Sequence, residues 1–89
     1  MLSKENFKYF LSFIKNNILN NCNYNYKTFY TSYKINNIKL WFICKYCVRN
    51  KEISIDIYNE NNRLGLCDMD SLEFILERIL KNNYGLLTK

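Results

Sequence analysis

Between Ile38 and Tyr58 the chain reads IKLWFICKYCVRNKEISIDIY, with apolar and polar residues alternating over most of the stretch. Successive side chains of a strand point to opposite faces, so this period of two predicts a β-hairpin. A turn at Asn50-Lys51 sets Arg49 opposite Glu52, Val48 opposite Ile53, Tyr46 opposite Ile55, Lys45 opposite Asp56 and Cys44 opposite Ile57. Val48, Ile53, Tyr46, Ile55, Cys44 and Ile57 then share an apolar face. The charge pairs Arg49–Glu52 and Lys45–Asp56 share the other. A slip of one residue would turn this arrangement inside out. Each cross-strand pair adds only ~0.2–1 kcal/mol, but all of them favour the same register.

The pattern continues on both sides. Tyr26 to Ile35 is rich in Thr, Tyr and Phe and suits a strand, and Asn36-Asn37 after it is a turn dipeptide. A two-residue turn there places Ile35 opposite Ile38, Tyr33 opposite Leu40, Thr31 opposite Phe42 and Phe29 opposite Cys44, all on the apolar face. Asn59 to Asn62 reads as another turn, and Arg63 to Cys67 as a short fourth strand with Leu64 and Leu66 facing inward. At the start of the chain Phe7, Phe10, Leu11, Ile14 and Ile18 repeat at helical spacing, predicting a helix over residues 3 to 20 capped by Ser3. An asparagine-rich loop, Asn20 to Asn25, follows it. A second helix begins with Asp70 as N-cap and Glu73 as its capping-box partner. Met69 and Phe74 have hydrophobic-staple spacing, Leu72, Ile75, Leu76 and Ile79 form the buried stripe, and Asn82, Asn83 and Gly85 end the helix. The order α-β-β-β-(β)-α predicts a two-layer α+β fold: an antiparallel meander with both helices on its apolar face. The 89 residues are expected to form a single domain, 1–89.

Composition changes this picture in only two ways. Asparagine occurs 15 times, isoleucine and lysine 10 times each, while alanine, proline and histidine are absent, the codon signature of an AT-rich genome. The charge is also uneven. Residues 1–51 carry nine Lys/Arg and one Glu, 9 − 1 = +8; residues 52–89 carry four Lys/Arg and seven Asp/Glu, 4 − 7 = −3. A basic half implies an acidic partner, either nucleic acid or an acidic protein surface. No stretch approaches the ~20 apolar residues of a membrane-spanning helix. Lys8 and Lys15 interrupt the apolar residues near the start, and no small-residue cleavage site follows them. A cytoplasmic protein with reduced thiols and no membrane partner is expected.

Candidate chemistry is sparse. Cys44-Lys45-Tyr46-Cys47 is a CxxC, and Cys22 and Cys67 bring the cysteines to 4. Four thiolates can hold zinc. In a strand, however, residues three apart point to opposite faces, so Cys44 looks inward and Cys47 outward, and structural thiols are expected rather than a metal site. Without histidine the usual general base is missing, and no glycine-rich phosphate loop occurs. Neither catalytic residues, a cofactor nor a metal is expected, and the chain reads as a non-enzymatic binding protein.

The candidate binding surface is the outer face of the sheet, with Tyr26, Tyr30, Lys34, Lys39, Trp41, Lys45, Arg49 and Tyr58, interspersed with Ile43, Cys47, Glu52 and Asp56. Exposed aromatics flanked by Lys and Arg suit a protein hot spot. They also suit stacking on single-stranded nucleic acid or RNA. Burial of the same face in a homodimer is the third reading. The rival surface is the basic side of the first helix, Lys4, Lys8 and Lys15, with Tyr9 and Phe13.

The element order resembles that of the double-stranded-RNA-binding domain. That family carries a basic cluster at the start of its second helix, where this chain has Asp68-Met69-Asp70-Ser71-Leu72-Glu73, which is acidic. In size, biased composition and helix–sheet–helix order the whole chain resembles the small anti-CRISPR inhibitors made by phages and mobile elements. That resemblance implies a protein that occupies a surface of a host CRISPR effector complex or its guide RNA. Many of those inhibitors are acidic DNA mimics, whereas this chain is basic in its N-terminal half.

Overall fold

The computed structural model describes residues 2–22 and 28–87. Helix α1 spans Lys4–Asn21, and Phe7, Leu11, Ile14 and Ile18 along one side of it are buried. Ser3 caps it, its Oγ accepting a hydrogen bond from the Asn6 N–H at 3.1 Å. Four antiparallel strands follow, β1 Phe29–Ile35, β2 Ile38–Cys47, β3 Glu52–Asn59 and β4 Asn62–Cys67, in the spatial order β1-β2-β3-β4. Helix α2, Leu72–Arg78, runs on into a π-helical turn, Ile79–Asn83. The fold is the expected α+β meander. The expected start of the first strand, Tyr26, lies outside the described residues.

The first hairpin pairs as the sequence predicts: Ile35 with Ile38, Tyr33 with Leu40, Thr31 with Phe42 and Phe29 with Cys44. Asn36 at the turn takes φ +55°, a left-handed conformation that asparagine tolerates better than most residues.

The second hairpin differs from expectation. Phe42 pairs with Ile57, Cys44 with Ile55, Tyr46 with Ile53 and Cys47 with Glu52, a shift of two residues from the predicted register. The turn is therefore longer, residues 48–51, with Lys51 at φ +55°. The predicted pairs Arg49–Glu52 and Lys45–Asp56 do not form, and Val48 lies exposed beyond the ladder. Side-chain matching accounts for the shift. The predicted register would set Phe42 against Asn59 and Trp41 against Glu60. The observed one sets Phe42 against Ile57 and Trp41 against Tyr58. Aromatic–aromatic and aromatic–β-branched pairs are the stronger cross-strand contacts. A shift of two keeps every residue on its face, so the inner and outer sets survive.

The third hairpin corrects a second expectation. Asn59 pairs with Asn62 and Tyr58 with Arg63, but beyond an irregularity between Ile57 and Tyr58 the partners become Ile57–Gly65, Asp56–Leu66 and Ile55–Cys67. Leu64 is thus the extra residue of a β-bulge. The bulge reverses parity along the rest of β4. Leu66, expected inside, is exposed on the outer face, and Gly65 and Cys67 point inward. Glycine is required there by packing, because a Cβ on Gly65 would lie 2.8 Å from Cγ2 of Ile75 on α2.

The start of α2 also departs from the predicted capping box. Ser71 is the N-cap residue, and Asp68, not Asp70, supplies the capping carboxylate by bracing it across the preceding turn: its Oδ1 accepts from the Ser71 N–H and Oγ–H, both at 2.8 Å, and its own N–H donates to Ser71 Oγ at 3.1 Å. Phe74 is exposed, so the expected staple with Met69 does not form. Leu72, Leu76, Ile79 and Leu80 are fully buried and Ile75 half-buried. Gly85 (φ +61°) ends the helical run, and Leu2 N–H donates to Leu86 C=O at 2.6 Å, tying the two ends of the described chain together.

The core lies between the helices and the inner face of the sheet. Ile14, Ile18, Leu40, Phe42, Cys44, Ile55 and Ile57 have essentially no exposure. At the β1 side, Tyr33 meets Phe10, Phe13 and Phe42 edge-on at 5.8, 5.8 and 5.3 Å, and its hydroxyl accepts from Asn17 Nδ2 at 2.6 Å. Among the described residues no helix is long and apolar enough to cross a membrane.

Two stability predictions follow from this packing. Gly65→Ala is expected to destabilise by about 1–3 kcal/mol, the usual range for overpacking, in urea titrations. Ile75→Ala in the same chain should recover part of that loss, whereas additive effects would place Gly65's role elsewhere. The hydrogen bonds from the Ser71 side chain and backbone hold the Asp68 carboxyl below the usual carboxylate range. A lowered folded pKa means that the cap is present above the unfolded pKa and lost as pH falls through the folded one. The gap in urea midpoint between wild type and Asp68→Ala should be largest near neutral pH and close in acid; a gap that is constant with pH would exclude the charged cap.

Candidate functional site

Opposite the helices, the strand registers arrange the outer face in rows. One row runs Ser32, Trp41, Tyr58, Arg63 across all four strands, and the next runs Tyr30, Ile43, Asp56, Leu66. Trp41 is therefore directly beside Tyr58, with Tyr30 diagonal to it. Trp41 is 39% exposed and Tyr30 63%, large values for aromatic side chains in the middle and at the edge of a sheet. Tyr30, Trp41, Ile43 and Tyr58, closed at one end by Glu60 and Asn61, line a shallow depression of about 360 Å³.

Charge is graded across this face. Lys34 stands directly opposite Lys39, as predicted. Like charges in that position repel, and Lys39 turns its ammonium over the Trp41 ring, 4.7 Å from the centroid. Lys45 is exposed further along β2. On the β3–β4 side, the Asp56 carboxylate is paired with Arg63, Nε to Oδ1 at 2.8 Å and Nη2 to the same oxygen at 2.5 Å. Glu60 and Glu52 are exposed at opposite ends of β3. The face is basic across β1 and β2 and acidic across β3 and β4, where Glu52, Asp56 and Glu60 outnumber Arg63.

Of the sequence-predicted residues, Tyr30, Lys34, Lys39, Trp41, Lys45 and Tyr58 lie together on this face. Arg49 sits in the 48–51 turn at its end, and Tyr26 lies outside the described residues. Leu66 and Arg63 also belong to the surface and were not predicted. The signal was Gly65, since an isolated glycine in a strand pattern marks a bulge.

The residues of the rival surface point in different directions. Lys4 and Lys8 line a groove with Phe7 and Leu87, faced by Glu73 and Glu77 of α2. Carboxylates there offset the lysine field. Tyr9 and Phe13 are exposed, but Phe13 leans the other way, edge-on to Tyr33 beside β1. Lys8 and Phe13 are five positions apart, about 140° around a helix of 3.6 residues per turn. Lys15 is half-buried.

The cysteines are as the face argument requires. Cys44 is fully buried, Cys47 partly exposed on the other face, and Cys22 and Cys67 are buried. Cys44 and Cys67 flank Ile55 across the inner face, two strands apart, which is too far for a disulfide. Burial pushes the Cys44 thiol up to about 12, helped by its neighbours Cys22 and Cys67, and pushes Cys67 up to about 12 as well. No group of three or more Cys, Asp or Glu among the described residues is placed to hold a metal ion. No protein-family model matches the chain, and no match is found among curated proteins or solved structures.

These thiols give a direct check of the sheet faces. With Ellman's reagent at pH 8, native protein should release about one equivalent quickly, from Cys47, because thiolate is the reactive form and the buried thiols stay protonated. The rest should appear only on unfolding, and Cys47→Ser should abolish the fast phase. A fast phase that survives this substitution would mean that an inward-facing thiol is accessible.

Proposed function

We propose that this chain is a non-enzymatic binding protein that docks an acidic protein surface on the outer face of its sheet, centred on Trp41. The observation that carries this reading is the Trp41–Tyr58–Tyr30 cluster, with Trp41 and Tyr30 exposed and Tyr58 half-buried, beside Lys34, Lys39 and Lys45, on a face that neither helix covers. Large aromatics supply contact area at low entropic cost, and a central one can be worth roughly 2 kcal/mol or more on truncation. The lysines around it act mainly on association rate and salt dependence. The resemblance to small anti-CRISPR inhibitors in size and element order extends the proposal to the partner: a host nuclease effector complex, held inactive by occupation of one of its surfaces.

A nucleic-acid module is the second reading, and two details weigh against it. Lys39 already covers the Trp41 ring, so a stacking base would have to displace it. Glu60 borders the aromatic depression and would repel a uniformly charged phosphate backbone, whereas a protein that is acidic where it meets Lys34, Lys39 and Lys45 can set a neutral or basic residue against Glu60.

Binding should therefore be weak to random RNA or DNA at physiological salt in a gel shift. Strong binding that falls steeply with salt would assign the face to nucleic acid instead. With the partner recovered by pull-down from the host, Trp41→Ala combined with Lys39→Glu is expected to weaken binding about tenfold or more. Lys8→Glu with Lys15→Glu should have a much smaller effect, both variants being checked for folding by circular dichroism. Loss in the helix variant with normal binding by the sheet variant would overturn the proposal.

A further inference from the structure

The two edges of the sheet are not alike. On β4 the bulge at Leu64, Gly65 and the Arg63 side chain break the regularity that an incoming strand needs. β1 has neither bulge nor glycine, and Lys34, next to its last residue, is its one charged side chain. Its seven residues, Phe-Tyr-Thr-Ser-Tyr-Lys-Ile, pair with β2 without a shift, and among the described residues no strand or bridge lies on its far side. Ile35 and Ile38 close the two-residue turn, so the backbone groups of Phe29, Thr31, Tyr33 and Ile35 bond to β2. Those of Tyr30, Ser32 and Lys34 point away from the sheet.

We propose that β1 is the contact for a second copy of this chain, pairing antiparallel about a two-fold axis at Ser32 to give a continuous eight-stranded sheet. The occupant follows from self-complementarity. Centred on Ser32, this register pairs all seven residues. On the outer face, Tyr30 meets Lys34 of the second copy, and the same contact repeats across the axis. An ammonium over a tyrosine ring is a favourable pair, and it gives Lys34, set against Lys39 in its own chain, a partner. On the inner face Phe29 meets Ile35, and Thr31 meets Tyr33, both pairs of the favourable aromatic–β-branched kind. Moving the axis to Lys34 would oppose Lys34 to its own copy and leave most of the strand unpaired. Exposed aromatics flank the edge in both layers, Tyr30 on the sheet side and Phe13, 62% exposed, on the helix side. The contact shares Tyr30 and Lys34 with the docking face and leaves its other residues, Trp41, Tyr58, Lys39 and Lys45, open. Because Ser32 stands opposite Trp41, the two tryptophans fall in one row across the joined sheet. Three strand spacings put their Cα atoms about 14 Å apart, which gives the assembly one broad surface with two aromatic centres.

Sedimentation equilibrium decides the matter. The wild-type chain should reach twice its 10.8 kDa mass at micromolar to millimolar concentration, and a monomer throughout that range overturns the proposal. Ser32→Pro removes an outward N–H that makes no bond to β2, as edge strands allow. It should give a folded monomer. Should that variant lose its fold by circular dichroism, Tyr30→Lys serves instead. It sets like charges opposite each other twice across the axis and should raise the dissociation constant about tenfold or more. Adding Lys34→Glu to Tyr30→Lys should restore the dimer, which a merely destabilised edge would not do. Trp41→Ala should leave the dimer intact. A dimer that survives the edge variants but is lost with Trp41→Ala would place self-association on the outer face and overturn the β1 contact.

Discussion

The rest of the molecule depends on the burial of one side of a four-stranded sheet. Leu40, Phe42, Cys44, Ile55 and Ile57 project from that side into the space beneath α1 and α2 and are wholly withdrawn from water. Each large aliphatic or aromatic side chain so placed contributes about 1.5–3 kcal/mol. In a chain this short there is one such layer, so every strand must deliver its apolar residues to the same side. The pleat makes this an all-or-none condition along each strand, because adjacent side chains cannot share a face.

The outer face is a consequence of that condition. Once both helices are committed to the inner side, the residues between the core positions are left uncovered. Most are polar, as one-sided sheets usually are, but Tyr30, Trp41, Ile43, Tyr58 and Leu66 are not. Alternation by itself would be satisfied by serine or threonine at these positions. Large apolar groups there add little to the core and expose surface that water disfavours, and the proposed docking face rests on them. The lysine beside Trp41 and the ion-paired Asp56 show how the face manages its charge. Lys39 on β2 lies over an aromatic ring, while Asp56 on β3 has its own arginine.

The bulge in β4 links the two sides of the sheet. It costs one regular ladder position and moves Gly65 beneath α2, where only a residue without Cβ lets Ile75 approach. The same step turns Leu66 out beside Asp56 and roughens the β4 edge. Close helix packing, a wider apolar surface and a guarded edge thus have a single local cause. The β1 edge, where nothing comparable occurs, is left regular.

The assignment of faces was legible in the sequence because it rests on local parity. Tyr33, Leu40, Phe42, Cys44 and Ile55 went inward and Lys39, Trp41 and Lys45 outward by counting residues, and the Asn36-Asn37 turn placed the first register as well. Ser3 and the stripe through Phe7 and Ile18 located α1 in the same way. The tertiary structure decided what parity leaves open. A shift of two residues leaves every face unchanged, so only the fit of Phe42 to Ile57 and of Trp41 to Tyr58 could select the second register. The direction of Leu66 depended on a bulge whose stability comes from Gly65 meeting Ile75, a contact between residues ten apart in the chain. The cap moved from Asp70 to Asp68 because Ser71 could bond back to Asp68 with both its N–H and its hydroxyl. The first of these contacts joins two strands and the second joins the two layers, so both exist only in the folded chain, whereas Asp68–Ser71 is local and depends on how the turn between them closes.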